Sequence, residues 1–320
     1  MEKGIIAELP QSETIDTDKI LQQYLDGETD LVCVLGPTAS GKTRYAVRLA
    51  NDINSLMAGR GQEGRAEIIS ADSRQVYKDM TIGTGKDIDE YCGIPYHLID
   101  IVEAGTKYNI FEYQRDFEKA YKSIRDRGNI PILCGGSGLY IEAATCGYSL
   151  PEVPADHQLR AELEKEETET LIQRLASLKP LHNTTDYDTR KRLIRALEIA
   201  IYESEHPASK SCFLPKRTYF IGTLVSREER NARIDRRLDA RLEEGMVEEV
   251  KSLLDSGISP EDLIYYGLEY KFVTMFLTGQ MSYDQMRQQL ATAIHQFAKR
   301  QMTWFRGMER KGITIHWTEV

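Results

Sequence analysis

Short apolar runs alternate with longer stretches of helical spacing along this chain. Leu31-Val32-Cys33-Val34-Leu35, Ile68-Ile69-Ser70, Ile130 to Cys134 and Tyr219 to Val225 have strand length. Ile313, Ile315 and Trp317 alternate as a final strand. Between them, Arg44 to Ala50 continues with helical spacing. Phe117, Ala120, Tyr121 and Ile124 share one helical face of the stretch 111–127, and Gly128 stops it. Leu139 to Ala144 opens another helix, and 227–254 and 284–305 read as helices with buried candidates at Ile234, Leu238, Leu242, Val247, Val250, Leu253 and Leu254. Strands alternating with helices predict a parallel sheet, hence an α/β fold. Residues 18–25 predict one short amphipathic helix ahead of the first strand. From about 155 to 205 the pattern is helical and highly charged, set off by Gly147, Pro151, Pro154 and Pro207. No internal repeat or heptad array is present.

The first strand runs into Gly36-Pro37-Thr38-Ala39-Ser40-Gly41-Lys42-Thr43. This fits G-x-x-x-x-G-K-[ST], and it lies between a strand and a helix, where the motif has a mechanism. The turn aims several backbone N–H groups at one spot, Lys42 adds a mobile positive charge, and Thr43 can hold Mg²⁺. The expectation is a site for a di- or triphosphate. The second strand ends in Ala71-Asp72-Ser73-Arg74-Gln75, and ligands of open α/β sheets collect at the carboxyl ends of strands. A carboxylate at Asp72 beside bound phosphates either holds a metal, takes a proton, or simply caps a turn.

Composition limits the classes open to the chain. Its 320 residues, 41% hydrophobic and 28% charged, suit a globular protein with a sizeable core. No apolar stretch approaches the ~20 residues of a membrane span, and the first eight residues are too polar for a signal peptide. Five scattered cysteines, at 33, 92, 134, 146 and 212, lack C-x-x-C spacing; reduced thiols and a cytoplasmic location are expected. A net charge of −9 does not favour nucleic acid, but the charge is segregated. Glu162, Glu164, Glu166, Glu167 and Glu169 form an acidic stretch, while Arg190-Lys191-Arg192, Arg195, Arg227 to Arg237 and Lys299 to Arg306 supply basic ones.

The phosphate loop followed by Ile69-Ser70-Ala71-Asp72-Ser73-Arg74-Gln75-Val76-Tyr77-Lys78-Asp79-Met80 and Ile82-Gly83-Thr84 resembles the tRNA dimethylallyltransferase family. The resemblance continues at Tyr96 to Ile101, Ile130 to Tyr140, Asp188 to Glu198 and Ala298 to Arg306. These blocks keep the family's order from about residue 31 onward. Three positions depart from its pattern: Tyr265 to Tyr270, where the family reads G-Y-[RK]-[EQ]; Ile294-His295-Gln296, where it has T-R-Q; and Ser137, where threonine is usual. A lone His295 reads as structural or solvated.

The resemblance implies a P-loop parallel-sheet core carrying an inserted helical, tRNA-gripping domain. On this chain that means an extension at 1–30, a core at 31–150 and 210–320 with C-terminal helices, and a helical insertion at 151–209, with parts of 255–295 adding to the helical portion. It implies transfer of a dimethylallyl group from its diphosphate to N6 of the adenine 3′ of the anticodon in tRNA, with Mg²⁺ as cofactor. Gly36 to Thr43 would hold the diphosphate, Thr43 the metal, and Lys42 and Arg237 would stabilise the leaving group, Arg233 being a rival one turn away. Asp72 would be the general base. The implied tRNA contacts are Asp72, Ser73, Arg74, Gln75, Ser137, Arg160, Lys191, Arg192, Leu193, Ile194, Arg195, Lys299, Arg300, Gln301, Trp304 and Arg306. Trp304 and Phe305 either stack on a base or pack their helix. A monomer is expected. The competing readings are an adenylate isopentenyltransferase acting on free AMP or ATP, a P-loop nucleotide kinase, and an inactive RNA-binding relative.

Overall fold

A computed structural model describes residues 10–148, 153–179, 187–206, 214 and 216–320. Pro151, Pro207, Cys212 and the first nine residues lie outside them. The chain forms two compact units, 1–147 with 215–320, and 148–214.

The larger unit is built on six parallel strands: β1 (Leu31–Leu35), β2 (Ala66–Ser70), β3 (Tyr96–His97), β4 (Ile130–Gly135), β5 (Thr218–Leu224) and β6 (Ile315–Glu319). Their order is β3-β2-β4-β1-β5-β6. Every residue of β1, β2 and β4 is buried, Glu67 and Ser70 of β2 included, which is why β1 and β4 read as continuous apolar runs and not as alternation. Helix α1 (Thr17–Leu25) is capped by Asp16 and buries Ile20 and Leu21 against α2 (Lys42–Gly59). Leu49, Ile53 and Met57 of α2 meet Val32, Val34, Ile68 and Ile132 of the sheet in the same cluster. The segment before β1 is therefore part of the core packing. Its Glu13 N–H donates to the Trp317 carbonyl at 2.7 Å, and its carboxylate meets His316.

Helices α3 (Ile110–Asp126) and α4 (Gly138–Thr145) follow the periodicity closely. The stretch expected as one helix from 227 is two, α8 (Arg227–Glu243) and α9 (Met246–Asp255), because Gly245 takes φ +104° between them. Next come α10 (Pro260–Tyr265), α11 (Leu268–Leu277) and α12 (Tyr283–Arg310); a capping box from Ser282 and Gln285 starts α12. These three helices belong to the larger unit, so the expectation that parts of 255–295 join the helical insertion is not met. Their apolar faces, Leu263, Tyr270, Val273, Met286 and Leu290, are core residues there.

The smaller unit contains α5 (His157–Leu163), α6 (Thr168–Leu178) and α7 (Arg190–Glu205). Leu163, Leu171, Leu175, Leu193, Ile194 and Leu197 form its core. Glu198, 2% exposed, takes a two-pronged bond from Arg160 at 3.0 and 2.7 Å and also pairs with Arg195. Within the acidic stretch, Glu164 pairs with Arg190 and Glu166 with Arg174.

Candidate active site

Strand β1 lies between β4 and β5, and its crossover through α2 leads to β2 beyond β4. The chain thus reverses direction across the sheet next to β1, and a crevice opens at the carboxyl ends of β1, β2 and β4. Three loops meet there: the phosphate loop after Leu35, the Asp72 loop after Ser70, and Gly136-Ser137 after β4. The resulting cavity measures about 340 Å³, a size usual for small-molecule sites.

The phosphate loop is locked from below. Ser40 Oγ and Thr223 Oγ1 of β5 are 2.6 Å apart, and a Cβ on Gly36 would fall 2.1 Å from that Thr223 oxygen. Ala39 and Gly41 both take left-handed conformations. The Ser40 amide donates to Pro37 O at 3.3 Å, and the Thr38 amide donates to Gln301 Oε1 at 2.8 Å. Pro37 has no amide hydrogen. Of the eight motif residues, the structure therefore leaves the amides of Gly36, Ala39, Gly41, Lys42 and Thr43 without a partner among the described residues. The last four, at the turn into α2, are the ones poised for an anion. Gly36, Pro37, Thr38 and Ser40, also expected as diphosphate ligands, shape the loop through the contacts above, and Thr38 lines the cavity.

Lys42 and Thr43 line the cavity. Burial holds the Lys42 ammonium below its ordinary range; Cys134 and Asp72 draw it back up, and Arg237 opposes them. Cys134, at the end of β4, is pushed up to about 12 by burial. Asp72 lines the same cavity. Its Oδ1 accepts from the amides of Arg74 at 2.8 Å and Gln75 at 3.4 Å, the turn-forming arrangement of an Asp at this position. Its Oδ2 has no hydrogen bond among the described residues. One oxygen holds the turn and the other remains available. Ser73 N donates to Ser137 Oγ at 3.3 Å, joining the β2 and β4 loops. Arg74 lies over the Tyr265 ring, 5.6 Å from its centroid.

The loop 80–86 closes one side of the cavity through Gly83, Thr84 and Gly85. Glu249 of α9 fixes it, accepting from the amides of Thr81, Ile82 and Gly83 at 2.8, 2.7 and 3.0 Å and from the Tyr270 hydroxyl at 2.7 Å. Gln75 ties the same loop to the Asp72 turn by donating to Gly85 O at 3.0 Å.

Arg237 reaches the cavity wall, paired with Asp87. Arg233 does not line the cavity; it pairs with Glu229 at 2.9 Å. From α12, Ile294, Phe297, Arg300 and Gln301 face the cavity, a helical i, i+3, i+6, i+7 stripe. Gln301 is 7% exposed and bridges two loops, accepting from Thr38 N and donating to Gly136 O at 2.9 Å. Expected as a tRNA contact, it is a brace of the phosphate loop. Lys299 is exposed outside the lining, and Trp304 is exposed but packs against Gly138. Phe305 is fully buried and only packs its helix. His295 pairs with Asp235 at 2.9 Å, the structural reading of that residue.

In the smaller unit, Lys191 and Arg192 are exposed, Arg192 pairing with Asp188, whereas Arg160 and Arg195 are held by Glu198. Leu193 and Ile194 are buried core residues, so their side chains are not tRNA contacts; the basic run carries them on its inner face. Residues of the cavity that the sequence does not single out include Tyr91, Arg241 and Phe297, whereas Tyr266, Leu268, Glu269 and Tyr270 belong to the 265–270 block that departs from the family's pattern. Only the fold brings α8, α10 and α11 to the phosphate loop.

A parallel sheet with a G-x-x-x-x-G-K-[ST] loop at its switch point, and a carboxylate and an arginine lining the same cavity, places the chain among α/β proteins that carry a phosphate-loop motif. The chain belongs to the IPP transferase family, whose model matches residues 75–308. It is 53% identical over 294 residues to tRNA dimethylallyltransferase 2 of Bacteroides fragilis, covering 91% of this chain and 92% of that protein. Its fold is similar to that of the tRNA isopentenylpyrophosphate transferase of Bacillus halodurans, at 32% identity and a TM-score of 0.63 over 90% and 89% of the two chains. It is also similar to a eukaryotic dimethylallyltransferase described as acting on tRNA, at 26% identity and a TM-score of 0.66 over 86% and 69%.

Proposed function

We propose that the chain transfers a dimethylallyl group from dimethylallyl diphosphate to N6 of the adenine 3′ of the anticodon in tRNA. The observation that carries this reading is what one cavity brings together. Lys42 and Thr43, with unpartnered amides, and Asp72, with an unengaged Oδ2, line the same cavity. As the allylic C–O bond breaks, its electron pair goes to the diphosphate, where the amides of Ala39, Gly41, Lys42 and Thr43, with the Lys42 and Arg237 side chains, stabilise the charge. The N6 lone pair forms the new C–N bond, and the N6 proton passes to Asp72 Oδ2 directly or through water. Thr43, the hydroxyl next to Lys42 at the start of α2, lies on the cavity wall, and no cluster of His, Cys, Asp or Glu suited to a metal occurs among the described residues. That donor set fits Mg²⁺ carried on diphosphate oxygens, with Thr43 as its protein ligand. Bound there, Mg²⁺ would neutralise charge on the leaving group.

The adenine must leave the stacked loop to reach this cavity, at a cost of a few kcal/mol. Arg74 and Arg300 at the cavity, with Lys191, Arg192 and Lys299 on exposed helix faces, are the basic groups assigned to the stem-loop. No helix among the described residues is long and apolar enough to cross a membrane; the enzyme is proposed to act in the cytoplasm as a monomer. Labelled dimethylallyl diphosphate with Mg²⁺, offered an anticodon stem-loop, AMP and ATP side by side, tests the reading. Label is expected in the stem-loop. Transfer to AMP at equal or greater efficiency would make the chain an adenylate isopentenyltransferase, and ATP turnover without transfer would make it a kinase.

A further inference from the structure

Arg241 lies one helical turn beyond Arg237 on α8, and the mechanism above does not use it. Its side chain is 12% exposed, and its Nη2 has no hydrogen-bond partner among the described residues. Asp87 is 3.9 Å away, and that carboxylate is already engaged by Arg237. Arg241 lines both the main cavity and a small adjoining one, where Thr38, Ala39 and Glu269 are its neighbours. The backbone of the 80–86 loop is pressed onto it: a Cβ on Gly85 would fall 1.7 Å from Nη2. Burial, then the like charge of Arg237, pushes the guanidinium down to about 10, while Glu269 and Asp87 oppose the shift. It remains a cation at neutral pH.

A buried cation lacking hydrogen bonds is costly unless something compensates it. Glu269 offers partial compensation: burial raises its carboxyl, and the Arg241 charge opposes that shift. An anion in the cavity would supply what the protein does not. We propose that Arg241 is a further catalytic residue, binding the diphosphate of the donor together with Lys42 and Arg237 and stabilising it as the C–O bond breaks, with Glu269 as its counter-charge in the empty site. This inference rests on the transferase reading above. It makes the α8 wall a two-arginine clamp, with Arg237 held from outside by Asp87 and Arg241 aimed inward. The opposing account is a purely structural one, in which Arg241 only supports Gly85.

The test uses the full chain, with inorganic pyrophosphate as probe in titration calorimetry and single-turnover transfer to a stem-loop as the rate measurement. Arg241→Met is expected to weaken pyrophosphate about tenfold or more, as for loss of a charge-assisted contact. Its single-turnover rate is expected to fall ~10²–10³-fold, as for loss of one leaving-group donor, with stem-loop affinity unchanged. Arg241→Lys, which keeps the charge, is expected to recover part of both. Glu269→Gln removes a negative charge from the wall and is expected to tighten pyrophosphate. Full-strength pyrophosphate binding in folded Arg241→Met would overturn the proposal. If Arg241→Met does not fold, unchanged or weaker binding in Glu269→Gln would do so. A parent enzyme that binds no pyrophosphate and transfers nothing would instead refute the transferase reading itself.

Discussion

Glu249→Gln isolates the tie between α9 and the cavity loop. In the parent, Oε2 accepts from Thr81 and Ile82, and Oε1 accepts from Gly83 and Tyr270. A glutamine keeps one acceptor oxygen. With its nitrogen in the Oε1 place, the Tyr270 hydroxyl can turn to accept, and only the Gly83 amide loses its partner; the reverse placement orphans two amides. The cheaper arrangement loses one bond and the charge assistance of two others. At ~1.5–3 kcal/mol for a bond to a charged group, discounted for the exposed Thr81 end, the loss is about 3 kcal/mol. The larger unit holds about 250 residues, so its unfolding entropy is about 0.5 kcal/mol per degree and the expected fall in Tm is about 6 °C. Because Gly83 to Gly85 line the cavity, the KM for dimethylallyl diphosphate is expected to rise as well. Thermal denaturation followed by circular dichroism, with donor titrations in the transfer assay, measures both. A Tm within about 1 °C of the parent together with an unchanged KM would refute the reasoning.

Asp72→Asn keeps the Oδ1 turn bonds but removes the proton acceptor, so single-turnover transfer should slow by ~10²–10⁴-fold with both substrates bound; a rate within a few-fold of the parent would leave Asp72 as a turn residue only. Burial lowers Lys42, and a bound diphosphate raises it again. Pyrophosphate binding should therefore take up protons and weaken as pH rises through the free-enzyme value of Lys42. Calorimetry in buffers of different ionisation enthalpy reads that uptake, and its persistence in Lys42→Met would contradict the assignment. Lys299→Ala should weaken stem-loop binding and lower the magnitude of its salt slope by about 0.7 if the contact is to a single-stranded phosphate; an identical slope would remove Lys299 from the interface.

What the sequence made legible was local. The strands β1 and β4 announce themselves by unbroken apolar runs and β2 by Ile68-Ile69, and the phosphate loop is contiguous in the chain. Asp72 could be placed because it follows a strand that had to end at the same edge. Strand β3 was not, since two residues carry no period. The resemblance places Gln301 among the tRNA contacts of the Lys299 to Arg306 block, and nothing local signals its bond to Thr38, 263 residues away. Leu193 and Ile194 were carried along by the basic residues around them, although helical spacing puts them on the buried face of α7. Glu249 and Arg241 matter through backbone amides and a cavity wall that only the packing of α8, α9 and α11 creates.

Helix α12 is 28 residues long, a rod of about 42 Å. Gln301 clasps the phosphate loop and the Gly136 turn from its midst, and Arg300, beside it, faces the cavity. A rod held at such a point cannot shift at one end without moving at the other. Under the proposed reading, in which Lys299 and Arg300 meet RNA, divergence in RNA choice is thereby tied to the geometry of the cavity. Lineages that alter their RNA preference by repacking α12 should carry compensating changes around Thr38 and Gly136, whereas exchanges confined to its exposed side chains should remain free of that constraint.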